Sequence, residues 1–148
     1  LSLHASDSID RSMQAKLAAL VNESKTHRDR LKLVLINRPS SRLRMVLLNE
    51  VMQELPDFGL IHYLIGRQLY LDQQFSKSNQ YLLQAKSLEL PDNLTIENLR
   101  LIGVNGYHTD KYKLATDHFN EILKIDNLPR GKINRVKEWI ERCQWNFQ

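Results

Sequence analysis

The side chains in this sequence that could do chemistry are few, and their spacing brings none of them together. Five histidines stand at His4, His27, His62, His108 and His118. None has a second His or a Cys three or four positions away, the separation at which a helix offers two ligands to one metal. Asp117 and His118 are adjacent, so on a helix their side chains point different ways. There is no phosphate-binding glycine loop, no nucleophile elbow and no paired-carboxylate signature. The single Cys143 falls on an apolar helical stripe and reads as a small core hydrophobe. Asn93-Leu94-Thr95 is formally a glycosylation sequon, but an Asn just after Pro91-Asp92 is better explained as a helix cap. The expectation is a chain with no catalytic residue, no metal and no cofactor, and so not an enzyme.

Charge is the second chemical signal. Lys25, Arg28, Arg30, Lys32, Arg38, Arg42 and Arg44 face the one acid Asp29, so residues 25–44 carry +6 where the whole chain carries +4. Such a run suits nucleic acid, anionic lipid headgroups or an acidic protein surface. No aromatic residues are interleaved for base stacking, which argues against a single-strand binder. The segment is read as a solvated basic face on two helices. Polyanions would bind it weakly, nonspecifically and with a steep dependence on salt, through Arg28, Arg30, Lys32, Arg38, Arg42 and Arg44.

The elements that must position these residues are helices. The 148 residues suit a single domain, and only 5 Gly and 4 Pro interrupt them. No apolar run approaches the roughly 18 residues that a membrane span needs. One cysteine excludes an internal disulfide framework and favours a reducing compartment. A cytoplasmic location is expected, or a soluble domain of a membrane-anchored parent. The chain opens at Leu1 with neither an initiator Met nor a signal-peptide profile, and is read as a piece of something longer.

Residues 9 to 24 place Ile9, Met13, Leu17, Leu20 and Val21 at helical spacing, and residues 26 to 37 are denser still, up to Pro39. Ser40 or Ser41 is expected to cap a helix whose buried face is Leu43, Val46, Leu47, Leu48, Val51 and Met52. Phe58 to Leu71 is apolar on nearly every side and must be covered twice. Helices at about 75 to 90 and 111 to 126 each show one clean stripe. Asn105-Gly106 is expected to shorten the helix that starts near Asn93. A last helix, from Pro129 to Trp145, presents Ile133, Val136, Ile140, Cys143 and Phe147 at three-four spacing, with Lys137–Glu141 and Glu138–Arg142 on its solvated face.

These helices repeat. Leu55-Pro56-Asp57, Leu90-Pro91-Asp92 and Leu128-Pro129-Arg130 recur every 35 to 38 residues, and a second register of 37 turns Leu64-Ile65-Gly66 into Leu101-Ile102-Gly103 and Tyr70 into Tyr107. Periods of this size belong to helical-pair repeats. Gly66 and Gly103, each costing a helix about 1 kcal/mol relative to Ala, are expected to allow close approach at Ser78 and Ala85, and at Ala115.

With small residues at the crossing, large ones between and Pro near the end, the chain resembles the tetratricopeptide-repeat (TPR) family, with degenerate repeats. The family's early Trp is His62 here, and its Tyr falls on Leu69 and Gly106. The resemblance implies an all-α fold, a right-handed TPR-like solenoid of antiparallel helix pairs. Residues 1–40 would be non-repeat helices, 41–128 the repeats and 129–148 a capping helix. It also implies a non-catalytic scaffold for a partner protein or peptide. Carried over from Gly66 and Gly103, the family's groove positions are Leu60, Tyr63, Arg67, Tyr70 and Leu71, then Glu97, Arg100, Val104, Tyr107 and His108. Of these Tyr63, Arg67, Tyr70, Arg100, Tyr107 and His108 are the expected partner-binding residues, a set suited to apolar anchors and a carboxylate. The other expectation is an accessory domain of a larger enzyme or membrane protein, without independent binding.

Overall fold

A computed structural model describes residues 41–146, which form six helices and no strand. The helices expected at 9–24 and 26–37, the Ser40 cap and Phe147 lie outside the described residues. The order is α1 (Ser41–Glu54), α2 (Gly59–Leu71), α3 (Phe75–Ser87), α4 (Asp92–His108), α5 (Tyr112–Leu123) and α6 (Arg130–Trp145). Each helix packs on the one before it, and α2 also touches α4 as α4 touches α6. The even-numbered helices therefore adjoin one another as well as their chain neighbours.

Proline marks three of the five breaks between the described helices, at Pro56, Pro91 and Pro129. Pro56, which disfavours the α region for Leu55, follows the end of α1, whereas Pro91 and Pro129 precede α4 and α6 in extended conformation. Asn93 sits in the first turn of α4 and is not its cap, a correction that follows from the helix already starting at Asp92. In α1, Leu47, Leu48 and Val51 are buried but Val46 is 50% exposed, so the buried face is narrower than expected. In α2 only Arg67, Tyr70 and Leu71 escape burial, since the helix is covered by α1, α3 and α4 together. In α6 only Val136 and Cys143 are fully buried, while Ile133 and Ile140 are partly covered.

The 37-residue register of the sequence is also a register of the structure. In the α2–α3 loop the backbone N–H groups of Asp72, Gln73 and Gln74 donate to the carbonyls of Gln68, Tyr70 and Leu69 at 3.0, 3.0 and 2.9 Å. In the α4–α5 loop Thr109, Asp110 and Lys111 donate to Asn105, Tyr107 and Gly106 at 3.0, 3.3 and 2.8 Å. Every donor and acceptor has moved by 37 positions. Gln73 and Asp110, at φ 61° and 60°, occupy the same left-handed turn position. The extra length between the repeats is absorbed at the start of α4, which has 17 residues against the 13 of α2.

The two glycines sit where a side chain is refused. A Cβ on Gly66 would strike Leu82, and one on Gly103 would strike the Phe119 ring, 16 residues on in each case. The close approach is thus to the large residue of the partner helix rather than to the small ones. Ser78 instead donates from Oγ to the Gly66 carbonyl at 2.6 Å, and Ala115 lies beside Gly106.

Asn105-Gly106 does not shorten α4, which runs on to His108. The reason is a buried polar clamp. Asn105 Nδ2 donates to Ser78 Oγ at 2.9 Å and to Asn79 Oδ1 at 2.8 Å, and Asn79 Nδ2 donates to the Ile102 carbonyl at 3.3 Å. Asn98 adds a bond to the Leu82 carbonyl at 2.9 Å. A side chain tied this way has no need to seek the turn conformation that Asn-Gly prefers in isolation.

Candidate partner-binding surface

The expected groove residues divide by burial. Leu60, Tyr63 and Val104 are core, and Tyr63 is only 2% exposed, so these three cannot present side chains to a partner. Their helices are covered on the side where the groove was expected to begin. Burial pushes the Tyr63 phenol well above the usual tyrosine range, with Glu97 adding to the rise and Arg67 and Arg100 opposing it. That set of charges shows what α2 and α4 bring together around the buried ring.

Arg67, Tyr70 and Arg100 are partly exposed. Arg100 holds Glu97 with both arms of its fork, Nε to Oε2 at 3.0 Å and Nη2 to Oε1 at 2.6 Å. Its pKa is raised, chiefly by the Glu97 hydrogen bond, against the opposing effect of burial, and Tyr70 contributes a further hydrogen bond. Arg100 is therefore a fixed cation whose bidentate face is already occupied.

Tyr107 and His108 fall at the other end of α4. Tyr107 meets the Trp139 ring edge-on at 5.3 Å and Tyr112 at 5.9 Å, while exposed His108 stacks on Phe75 at 4.4 Å. Tyr70 meets Phe75 at 6.2 Å, so it connects the two groups. An open hollow of about 460 Å³ lies here among Tyr70, Leu71, Gln73, Phe75 and His108, with Leu71 52% exposed.

Of the expected polyanion-binding residues, Arg28, Arg30, Lys32 and Arg38 lie outside the described residues, and Arg42 is exposed on α1. Arg44 is a correction. It is partly buried, donates from Nη1 to Gln68 Oε1 at 3.1 Å, and has its pKa lowered by burial and then by Arg67. It joins α1 to α2 instead of standing in solvent.

A second, more enclosed cleft of about 290 Å³ opens between α4, α5 and α6. Ile96, Ile122, Val136 and Trp139 give it apolar walls, and Glu97, Arg100, Lys132 and Arg135 supply its charges. Trp139 is fixed by Phe119, stacked at 6.0 Å, and by the Arg142 guanidinium 4.7 Å above its ring. Sequence reasoning placed α6 in a capping role and missed Lys132, Arg135 and Trp139. Their spacing of three and then four residues, one face of a helix, was the signal available.

The histidines inside the fold serve packing. His62 contacts the Pro56 carbonyl through Nε2 at 2.6 Å. His118 Nδ1 donates to the Leu114 carbonyl at 2.8 Å, leaving Nε2 to accept from Lys86 at 3.1 Å, and Lys86 also pairs with Glu121 at 2.9 Å. Among the described residues no group of three or more His, Cys, Asp or Glu side chains is placed to hold a metal ion, and no helix is long and apolar enough to cross a membrane. No protein-family model, no curated protein and no solved structure matches this chain.

Proposed function

We propose that this chain is a protein–protein interaction scaffold, a right-handed TPR-like array of helix pairs that binds a partner protein or peptide along the face shared by α2, α4 and α6. The observation that carries this reading is the hairpin repeated at 37 residues, down to the hydrogen bonds and left-handed residue of its loop. Stacked units of this kind leave a continuous surface along one layer. On that layer Arg67, Tyr70 and Arg100 remain partly exposed, residue types enriched at binding hot spots.

The test is selection of a displayed random-peptide library on the full chain, repeated with Arg67→Ala and Tyr70→Ala. Each substitution should weaken the selected complexes by about 1 to 3 kcal/mol while the thermal midpoint stays near wild type. Failure to enrich any peptide, or weakening that merely follows unfolding, refutes the proposal. Arg67 is the cleaner probe, because Tyr70 packs against Phe75 and bonds to Arg100.

A further inference from the structure

The cleft between α4, α5 and α6 combines an apolar lining with an excess of positive charge. Its walls are apolar, and its charged side chains are three cations, Arg100, Lys132 and Arg135, against the single carboxylate of Glu97, a net of +2. Glu97 is spent on Arg100. Among the described residues the side chains of Lys132 and Arg135 have no hydrogen-bond or ion-pair partner. Two cations therefore stand beside a hydrophobic wall with the nearby acid already engaged, so the cleft is net positive.

Size and ring geometry narrow the occupant. At about 290 Å³ the cleft is at the bottom of the range of about 300–1,000 Å³ typical of small-molecule and cofactor sites, room for one or two side chains. The Trp139 ring is already stacked by Phe119 and capped by Arg142, so the cleft lacks the free aromatic platform on which a nucleobase stacks. We propose that this cleft binds an acidic peptide segment of a partner protein, seating one apolar side chain against Ile96, Ile122, Val136 and Trp139 while flanking Asp or Glu carboxylates pair with Lys132 and Arg135. This rests on the scaffold reading above and gives that scaffold its partner chemistry.

Glu97 then acts as a competitor. Its carboxylate neutralises Arg100 and repels an incoming acid, so removing its charge should strengthen binding. Loss of structure does not produce that sign.

The experiment is the random-peptide selection on the full chain, followed by affinity measurements on the enriched peptides with Lys132→Gln/Arg135→Gln and with Glu97→Gln. Enriched peptides should carry Asp or Glu around a Leu, Ile or aromatic residue. Their affinity should fall about tenfold or more in the double variant, as losing charge-assisted contacts requires, and should rise severalfold in Glu97→Gln. Amide versions of the same peptides, and acidic peptides without the apolar residue, should bind at least about tenfold more weakly.

Equal binding of acid and amide peptides overturns the proposal, as does weaker binding in Glu97→Gln. So does displacement by inorganic phosphate at matched ionic strength, which would make the cleft a general anion site. Peptides that are lost in Arg67→Ala yet retained by Lys132→Gln/Arg135→Gln would remove the cleft assignment and leave the scaffold reading standing. Enrichment of no peptide at all removes both.

Discussion

Gly103→Ala sets helix propensity against packing, and the structure decides the sign. A Cβ at this position would lie 2.5, 2.7 and 2.8 Å from three atoms of the Phe119 ring, where ordinary contact begins near 3.4 Å. The ring would have to retreat by about 0.9 Å, yet it is fully buried and stacked on Trp139. Overpacking of this kind costs about 1 to 3 kcal/mol, and Ala gives back about 1 kcal/mol through its better helix propensity. The net is a loss of about 1 kcal/mol, or a thermal midpoint lower by about 2 to 4 °C for a chain of this size. Gly131→Ala supplies the control, because nothing lies within 4 Å of its added methyl. There propensity acts alone, and the midpoint should rise with a gain of about 0.4 to 1 kcal/mol. Melting and urea curves on the full chain measure both variants. A Gly103→Ala midpoint at or above wild type, with Gly131→Ala behaving as expected, would show that α4 and α5 do not cross as closely as described.

Three other perturbations test separate parts of the fold. Asn105→Ala should destabilise by about 1 to 3 kcal/mol, because it strands Asn79 and Ser78 in a buried site; an unchanged urea midpoint would mean that water replaces the clamp. Ala85→Phe and Ala115→Phe should each cost about 1 to 3 kcal/mol, and unchanged melting of both would place these alanines away from any helix crossing. Burial raises the Cys143 thiol above its ordinary value of 9.0, so its contribution to stability is complete below that pH and is lost as pH rises through the higher folded-state value. Urea titrations from neutral to alkaline pH should therefore show a steeper decline for wild type than for Cys143→Ala, and parallel curves would contradict this.

Three of the helical breaks are legible in the chain because proline disfavours the α region for the residue before it. The 37-residue register is legible because Gly66 and Gly103 each answer to a bulky residue 16 positions later, so the pattern is written twice. Asn105-Gly106 misleads because its local preference for a turn is overcome by bonds to Ser78 and Asn79, more than 25 residues away. Tyr63 misleads for a related reason. Amphipathic periodicity tells which residues face a neighbour but not how many neighbours a helix has, and among the described helices α2 adjoins α1, α3 and α4. The cleft at α6 was hidden because Lys132 and Arg135 look like ordinary solvated charges until Trp139 and Ile96 are placed beside them.

The duplicated loop makes the segment from Gln74 to Asp110 a cassette. Its two ends are the same point of the same turn, so a second copy spliced in after Asp110 would meet Lys111 with the backbone already in register. Its internal α3–α4 contacts travel with it, and its copy of α4 would meet α5 as the original does. At the new junction Gly103 faces Leu82 where Phe119 stood, a void rather than a clash, and the original Lys86 faces the copied α3 in place of His118 and Glu121. A chain lengthened by one such hairpin should therefore fold with its losses confined to that seam.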